Sequence, residues 1–293
     1  MSQAAIRPVV RVDPAGAAIP LVCDSPHSGT AYPADFRHVV SRALLRQGED
    51  THVDELWRAA PGHGATLIAA TFPRTYIDPN RTLADLDPDL LEGSWPETLS
   101  PGEKTRLGKG LIWTRLDARN AIYDGKLAVA EVRRRIDHYY NPYHAALSQA
   151  VQERYEQFGA LWHLNLHSMP GDAYERLGLC SAHPLADFVL GDRDGTTCEP
   201  GFVQLIEDVL RSKGYTVARN DPYKGVQLIA QIGRPALRRH SLQVEIRRPV
   251  YMNEITRERN EGFDQLKHDL TDLLGVIAAY VNTHASMVTG PRP

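Results

Sequence analysis

The stretch LVCDSPHSGT, residues 21–30, is an apolar run that stops at a cluster of turn-forming residues. The apolar run is IPLVCDS (19–25), and short apolar runs bounded by turn formers are typical of buried β-strands. Similar runs follow along the chain: ATLIAATF (65–72), ALWHLNLH (160–167), GYTVARN (214–220) and HSLQVEI (240–246). The sequence therefore predicts a sheet that contains these strands.

Amphipathic segments lie between the apolar runs and are expected to be helices. They are residues 36–47, 52–60, 129–158 with a break near Pro142, 202–214 with Gly214 as the stop, and 262–284. Strands that alternate with helices favour a mostly parallel sheet covered on both faces. We therefore expect a three-layer α/β/α fold, in which ligands sit beyond the carboxyl ends of the strands.

The length and composition are those of a globular protein. The 293 residues are 42% hydrophobic and 24% charged, which suits one large α/β domain. We expect a single domain over residues 1–293. Residues 82–110, rich in Pro, Gly and Asp, are expected to form a long loop excursion near the site.

The charge balance argues against nucleic-acid and membrane partners. Lys and Arg total 33 and Asp and Glu total 36, a net charge of -3, so small-molecule partners are expected. The cysteines Cys23, Cys180 and Cys198 lack CxxC spacing, which favours neither disulfides nor a thiolate zinc site. The sequence has no signal pattern and no apolar run of about 20 residues, so we expect a cytoplasmic location. It does not reveal the oligomeric state.

Two histidines follow predicted strands directly. His27 stands in SPHSG and His167 in LHSMPG, each beside serine and chain-turning residues. Imidazoles held at strand ends suit a divalent metal, usually zinc, which in hydrolytic sites takes three protein ligands and a water. A histidine at the end of a strand can equally be a capping or core residue, so both readings stay open at this point.

A carboxylate would complete such a site. The segment GEDTHVDEL, residues 48–56, offers four acids between the first two predicted helices. We select Asp50, with Glu49, Asp54 and Glu55 as alternatives. Asp50 could also act only as a helix N-cap.

The segment FPRTYIDPNR, residues 72–81, follows a predicted strand and has the composition of a turn. Asn80 and Arg81 could bind a substrate carboxylate, because a planar guanidinium matches a carboxylate with two hydrogen bonds. Arg74 could be a second cation there, or Asp78 could neutralise it. The simpler alternative is an ordinary turn with a solvated arginine.

Glu245 interrupts an apolar strand in LQVEIRRPVYMNE, residues 242–254. Alternating apolar positions would place it on the opposite face, where it could act as a general base near a metal-bound water. A structural carboxylate paired with Arg247 or Arg248 is an equal alternative.

Other catalytic patterns fit poorly. The chain has no GxSxG motif, which argues against a serine hydrolase of that type. LGDRDGTTC, residues 190–198, lacks the ligand spacing and closing Glu of a calcium loop. Cys198 is more easily explained as a buried small residue than as a nucleophile.

Together these motifs resemble one family, the N-formylglutamate amidohydrolases, also called N-formylglutamate deformylases, of histidine degradation. The resemblance covers most of the chain and rests on the order of its motifs. They are PHSG (26–29), DTH (50–52), RTYIDPNR (74–81), IYDGKL (122–127), YYNPYHAAL (139–147), LHSMPG (166–171), LGDRDGTTC (190–198), GRP (233–235) and LQVEIRRPVYMNE (242–254).

The family looks like a distant relative of zinc carboxypeptidases and aspartoacylases. This implies a mixed, mostly parallel, phosphorylase/hydrolase-like sheet with one zinc per chain. The resemblance places the zinc ligands on His27, Asp50 and His167, with the other acids of residues 48–56 still possible. It also places a carboxylate-binding pair on Asn80 and Arg81.

The implied reaction is hydrolysis of N-formyl-L-glutamate to formate and L-glutamate by a metal-bound water, with Glu245 as general base. The expected partner is thus a small anionic N-acyl amino acid. A related metallo-amidohydrolase or carboxypeptidase-like enzyme, acting on another N-acyl acid or small peptide, is the nearest alternative. A catalytically inactive metal-binding relative is the alternative from another class.

One segment departs from the family pattern. Before GRP we expect a Gly-Gly segment followed by Arg-His-Tyr-Gly, whereas this chain reads YKGVQLIAQIGRP, residues 223–235. The expected histidine is absent, and Ala230 and Gln231 stand nearby. If this loop lines the pocket for the acyl group or the amino acid, its departure from the family pattern bears on the identity of the substrate more than on the metal and its chemistry.

Overall fold

The structure is a computed structural model that describes residues 6–286. Residues 1–5 and 287–293, which the predicted domain includes, lie outside the described residues. The described chain forms two compact units, one of residues 6–10, 26–51 and 69–147, the other of residues 11–25, 52–68 and 148–286. The expectation of a single domain stays a prediction.

A seven-stranded mixed sheet is the main β structure of the described residues. Its strands, in their order across the sheet, are β1 (Val9–Val12), β3 (Thr66–Ala70), β2 (Leu21–Ser25), β6 (Leu161–Met169), β9 (Arg239–Arg247), β7 (Phe188–Gly191) and β8 (Val217–Arg219). Strands β2, β6 and β9 are parallel neighbours, and β7 runs antiparallel to β9 but parallel to β8. The mixed, mostly parallel α/β sheet flanked by helices is therefore confirmed.

The remaining elements are mostly short. Strands β4 (Leu91–Glu92) and β5 (Leu127–Ala128) form a separate parallel pair. The α-helices are α1 (Arg42–Leu45), α2 (Val53–Leu56), α3 (Glu103–Arg106), α4 (Val129–Arg135), α5 (Asn141–Phe158), α6 (Ala173–Arg176), α7 (Pro200–Ser212), α8 (Gln227–Ile232) and α9 (Phe263–Ser286). Turns of 3-10 helix occupy Arg46–Gly48, Ala60–His63, Pro88–Leu90, Pro235–Leu237 and Arg248–Val250.

All five strands predicted from apolar runs are present, as β2, β3, β6, β8 and β9. Strands β1 and β7, of four residues each, and the two-residue strands β4 and β5 were not predicted. The segment 82–110 contains only a 3-10 turn, β4 and the one-turn helix α3, in keeping with an irregular excursion.

The helix predicted over residues 36–47 is largely wrong. Only Arg42–Leu45 is α-helical, because Ser41 is its N-cap and accepts a hydrogen bond from the Leu44 N–H at 3.3 Å. The preceding Phe36 packs its ring against Tyr76, with the ring centroids 5.2 Å apart. This packing holds residues before Ser41 outside the helix.

The helix predicted over residues 52–60 is also shorter than expected. It covers Val53–Leu56, and a 3-10 turn that contains Pro61 follows. His52, at its N-cap, is left-handed with φ of 70°. The apolar pattern continued through this turn and therefore overstated the helix.

The predicted break near Pro142 is a π-turn rather than a loop. Residues Ile136–Tyr140 lie between helices α4 and α5, and the Asn141 N–H donates to the Ile136 carbonyl. Proline has no N–H to give the regular helical bond to residue 138, so the backbone widens just before it. Helix α7 ends where predicted, with Gly214 left-handed at φ of 91°.

The central strands bury two chemically different faces. Trp162, Leu164 and Leu166 of β6 belong to the main hydrophobic core, together with apolar residues of α7 and α9. The alternate residues of β6, His163, Asn165 and His167, are equally buried. The sheet therefore has one apolar face and one buried polar face.

No helix within residues 6–286 is long and apolar enough to cross a membrane. The three cysteines are free thiols, with Cys180 exposed and the other two buried. Burial raises the pKa of the Cys198 thiol well above its usual range, which disfavours the nucleophile reading.

Candidate metal centre

His27 lies in the turn that follows strand β2, and its side chain is fully buried. The turn needs glycine at the end of the PHSG motif, because a Cβ on Gly29 would lie 2.3 Å from the backbone of Thr71 and Phe72. This close approach of two backbone segments fixes the position of His27.

The His27 ring contacts two buried carboxylates. Its Nε2 lies 2.7 Å from Asp78 Oδ1, and its Nδ1 lies 3.3 Å from Asp50 Oδ2. The Asp50 backbone N–H also donates to the His27 carbonyl at 3.0 Å. A carboxylate oxygen accepts hydrogen bonds, so Nε2 donates to Asp78 and Nδ1 is the nitrogen that faces Asp50.

Asp78 gathers several donors around one carboxylate. Oδ1 accepts from His27 Nε2 and from the Asn80 backbone N–H at 2.9 Å. Oδ2 accepts from Arg74 Nη2 at 3.0 Å and from the Trp113 indole N–H at 3.2 Å. Both oxygens are therefore satisfied although the residue is wholly buried.

The electrostatic balance keeps Asp78 ionised. Burial alone would raise its pKa, but the nearby Arg74, His27 and Arg81 hold the pKa of this carboxyl well below its usual range. Burial lowers the pKa of the Arg81 guanidinium, an effect that Asp78 partly offsets. The ion pair between Arg74 and Asp78 corresponds to the alternative in which Asp78 neutralises this arginine.

The other acids of residues 48–56 have different surroundings. Glu49 accepts from the Tyr32 hydroxyl at 2.8 Å and from Arg46 Nε at 3.2 Å. Glu55 pairs with Arg259 and Lys267. The N-cap of helix α2 is His52 rather than Asp50, so the N-cap reading of Asp50 does not describe this structure.

His167 lies on strand β6 and is held by its own strand. Its Nε2 is 2.7 Å from Asn165 Oδ1, and a carbonyl oxygen accepts, so Nε2 carries the proton. Glu245 on β9 stands directly opposite His167 in the parallel register. Registered neighbours project from the same face, which places Glu245 on the polar face as the alternation predicted.

Glu245 is buried and its Oε1 accepts from Gln243 Nε2 at 2.9 Å. Each of the two neighbouring arginines also contacts another residue. Arg247 pairs with Asp187, and Arg248 Nε donates to Ser168 Oγ at 3.1 Å.

His27, Asp50 and His167 offer metal-ligand atoms that all lie within 4.8 Å of one another. All three residues are buried, so these atoms are shielded from bulk water. Two ligands of a tetrahedral zinc at about 2.0–2.2 Å lie roughly 3.4 Å apart, close to the 3.3 Å between His27 Nδ1 and Asp50 Oδ2. The set of two imidazoles and one carboxylate therefore fits a zinc ion and forms a possible metal-binding site.

The predicted substrate-binding residues surround Asp78. The Arg74 side chain is 15% exposed and that of Arg81 is 9% exposed. Arg81 donates to the carbonyls of Lys109 and Asn80 at 3.0 and 2.8 Å. Arg74 Nη1 also lies 4.0 Å from Asp50 Oδ2, so the two guanidiniums stand beside two carboxylates.

Several polar residues of this region were missed from the sequence. Asp78 was not expected to contact His27, and Asn165 was not expected to contact His167. The contact between Asn165 and His167 could have been predicted from the alternation in HLNLH, residues 163–167, since residues two apart on a strand share a face.

The divergent segment 223–235 contains helix α8. Leu228, Ile229 and Ile232 are buried, whereas Ala230 and Gln231 are exposed. The positions nearest to the histidine expected from the resemblance therefore face solvent on this helix.

Replacing Asp78 by asparagine should lower the free energy of unfolding by about 3–5 kcal/mol near neutral pH, because buried cations lose their counter-charge. Since folding lowers the Asp78 pKa below its ordinary value of 3.8, this contribution is complete above that pH. It is lost as the pH falls through the folded-state pKa. Urea unfolding of wild type and variant in chelator, from neutral pH to about pH 3, measures the difference.

The matched control is Asp124→Asn, the same change at an exposed aspartate, which should cost no more than about 0.5 kcal/mol. Equal free energies of unfolding for wild type and Asp78→Asn at neutral pH would contradict the role of Asp78 as an ionised counter-charge. A difference between them that grows in acid would contradict it as well.

A model of the N-formylglutamate amidohydrolase family matches residues 19–252. Two curated relatives named N-formylglutamate deformylase come from Pseudomonas putida and Pseudomonas aeruginosa. They are 28% and 27% identical over 243 and 241 residues, each match covering 80% of this chain and 83% of the relative.

Solved structures agree with this match. The crystal structure of N-formylglutamate amidohydrolase from Ralstonia eutropha JMP134 is 69% identical, with a TM-score of 0.94, over 95% of this chain and 100% of that chain. Gene product Atu2144 from Agrobacterium tumefaciens shares the fold at 18% identity and a TM-score of 0.65, over 94% of this chain and 96% of that chain. The chain therefore belongs to the N-formylglutamate amidohydrolase family.

Proposed function

We propose that this protein hydrolyses N-formyl-L-glutamate to formate and L-glutamate, with one zinc ion per chain held by His27, Asp50 and His167. The observation that carries the proposal is the grouping of these three buried donors. The substrate follows from the relatives, whose names assign them to N-formylglutamate.

The three side chains would hold the metal and leave a coordination position for a small ligand, as in catalytic zinc sites. When bound, zinc supplies Lewis-acid polarisation of a carbonyl and lowers the pKa of water towards about 7. Asp78 and Asn165 accept from the Nε2 protons of the two histidines, which leaves Nδ1 of each ring as the metal-binding nitrogen.

Glu245 is the proposed proton carrier of the reaction. Its carboxylate removes a proton from the attacking water while the new C–O bond forms at the formyl carbon. As the C–N bond breaks, the protonated Glu245 gives that proton to the departing amine. The hydrogen bond from Gln243 orients the carboxylate before the reaction starts.

Arg74, Asn80 and Arg81 are the proposed binding residues for a substrate carboxylate. Arg74 donates from Nε and Nη2 to Asp78 Oδ2, so its guanidinium is held in one orientation before the substrate arrives. Such preorganisation reduces the entropy lost when an anion binds.

The small anionic substrate and the cytoplasmic location predicted from the sequence stay predictions. A related enzyme acting on another N-acyl acid is the second candidate, favoured by the altered sequence of residues 223–235. A binding protein without turnover would have no need of a buried carboxylate at position 245.

The first prediction concerns turnover and metal content. Purified protein should release formate from N-formyl-L-glutamate, contain about one zinc per chain and lose activity in a chelator, because the reaction depends on the bound metal. Formate release and zinc content are measured in the same preparation. His167→Ala should lose both, whereas His268→Ala, at an exposed histidine, should keep both.

Bound zinc without formate release would contradict N-formylglutamate as substrate, and a panel of acetyl and longer acyl glutamates and aspartates would then identify the acyl acid. A His167→Ala protein that kept its zinc and its turnover would contradict the ligand assignment.

The second prediction concerns the base. Glu245→Gln should reduce kcat by roughly 100- to 10,000-fold, because the amide cannot accept the proton of the attacking water. Zinc content should stay at the wild-type level, since Glu245 is not a proposed ligand. The control is Glu258→Gln, the same change at an exposed glutamate. A Glu245→Gln enzyme within a few-fold of wild type would exclude this residue as the base.

The third prediction concerns substrate binding. Arg81→Lys should raise KM for N-formyl-L-glutamate by roughly 10- to 150-fold, which corresponds to about 1.5–3 kcal/mol for a lost hydrogen bond to a charged group. The effect on kcat should be smaller. The control is Arg119→Lys at an exposed arginine. An unchanged KM would remove Arg81 from the carboxylate-binding set.

A further inference from the structure

One face of strands β2, β6 and β9 carries a row of buried polar side chains. None of these residues is more than 3% exposed. Polar groups this deeply buried are destabilising unless they are hydrogen bonded, so their partners define how each side chain is oriented. The row consists of Asp24, His163, Asn165, His167, Ser241 and Gln243.

A chain of hydrogen bonds runs through this row towards the proposed metal ligand. Asn165 Nδ2 donates to Asp24 Oδ1 at 2.8 Å. On its other side, Asn165 Oδ1 lies 2.7 Å from His167 Nε2. Asp24 Oδ1 also lies 2.8 Å from His163 Nε2, and His163 Nδ1 lies 2.7 Å from Ser241 Oγ.

The direction of this chain follows from the chemistry of its first member. An aspartate carboxylate accepts hydrogen bonds and has no donor, so the Asn165 amide must turn its NH₂ group towards Asp24. The amide carbonyl then points to His167 and accepts from Nε2–H. The remaining nitrogen of that ring, Nδ1, bears the lone pair.

We propose that Asp24, acting through Asn165, fixes the ring tautomer of His167 and so makes Nδ1 its metal-binding nitrogen. Asp24 and Asn165 are positioning residues, since each acts through another side chain. The inference rests on the proposed function only where it assigns His167 to a metal.

A second anchor keeps Asp24 in place. His163 is held from the far side by Ser241, whose carbonyl accepts from the Thr197 hydroxyl at 2.9 Å and whose N–H donates to the Thr197 carbonyl at 2.7 Å. The carboxylate that orients Asn165 is thus fixed by contacts independent of the metal. Groups that orient a metal ligand commonly change metal affinity by 10- to 100-fold when they are removed.

The tautomer is measured on the metal-free protein by long-range ¹H–¹⁵N NMR of the histidine rings. The wild-type His167 ring should carry its proton on Nε2. In Asn165→Leu the acceptor is gone, so the ring should lose this preference and zinc affinity should fall by roughly 10- to 100-fold, measured by chelator competition. Asn282→Leu, the same change at an exposed asparagine, should keep both the tautomer and the affinity.

Exchanging the residues at positions 24 and 165 tests the direction of the hydrogen-bond chain, because the total size and charge of the two side chains stay the same. In the double variant Asp24→Asn with Asn165→Asp, residue 24 can donate and residue 165 still accepts from His167 Nε2. The Nε2 tautomer of His167 should therefore be kept. This pair also decides the question if Asn165→Leu fails to fold.

Three results would overturn the inference: a wild-type His167 ring protonated on Nδ1, an Asn165→Leu protein with wild-type tautomer and zinc affinity, or a double variant that lacks the Nε2 proton. A wild-type protein that binds no zinc would overturn the assignment of Nδ1 to a metal. Failure to release formate, by contrast, would contradict the proposed substrate and leave the tautomer result standing.

Discussion

The hydrogen bond from His27 Nε2 to the buried Asp78 carboxylate is the contact on which the candidate centre depends most. It orients the imidazole and leaves Nδ1 beside Asp50. Asp78 can stay ionised in the interior because cationic groups surround it and hold its pKa low. The same carboxylate anchors Arg74, so one aspartate links a proposed metal ligand to a proposed substrate-binding residue.

The two histidines are oriented by different chemical means. His27 donates to an aspartate directly, whereas His167 donates to the neutral amide of Asn165, with Asp24 one step further away. The orientation of His27 therefore depends on a direct hydrogen bond to a carboxylate, and that of His167 on an amide that a carboxylate orients in turn.

Much of the fold could be predicted because apolar runs and turn residues are local signals. The strand that ends before His27 and the strand that carries His167 were both readable in this way. Helix 36–47 failed because Ser41 capping and the packing of Phe36 on Tyr76 overrode an amphipathic pattern. Tertiary contacts of this kind leave no mark on local periodicity.

The partners that orient the histidines were harder to predict than the histidines themselves. Asp78 is 51 residues from His27, and Asp24 is 141 residues from Asn165. Only the folded chain brings such positions together. The choice of Asp50 among four neighbouring acids likewise depended on a family resemblance and a loose motif, and the structure supplies the distance to His27 that the sequence lacks.

The most direct measurement is anomalous X-ray diffraction at the zinc edge from crystals of the zinc-loaded protein. One strong peak is expected at about 2.0–2.2 Å from Nδ1 of His27, Nδ1 of His167 and a carboxylate oxygen of Asp50. A peak bound through Nε2 of either histidine, or a metal held by other residues, would contradict this expectation.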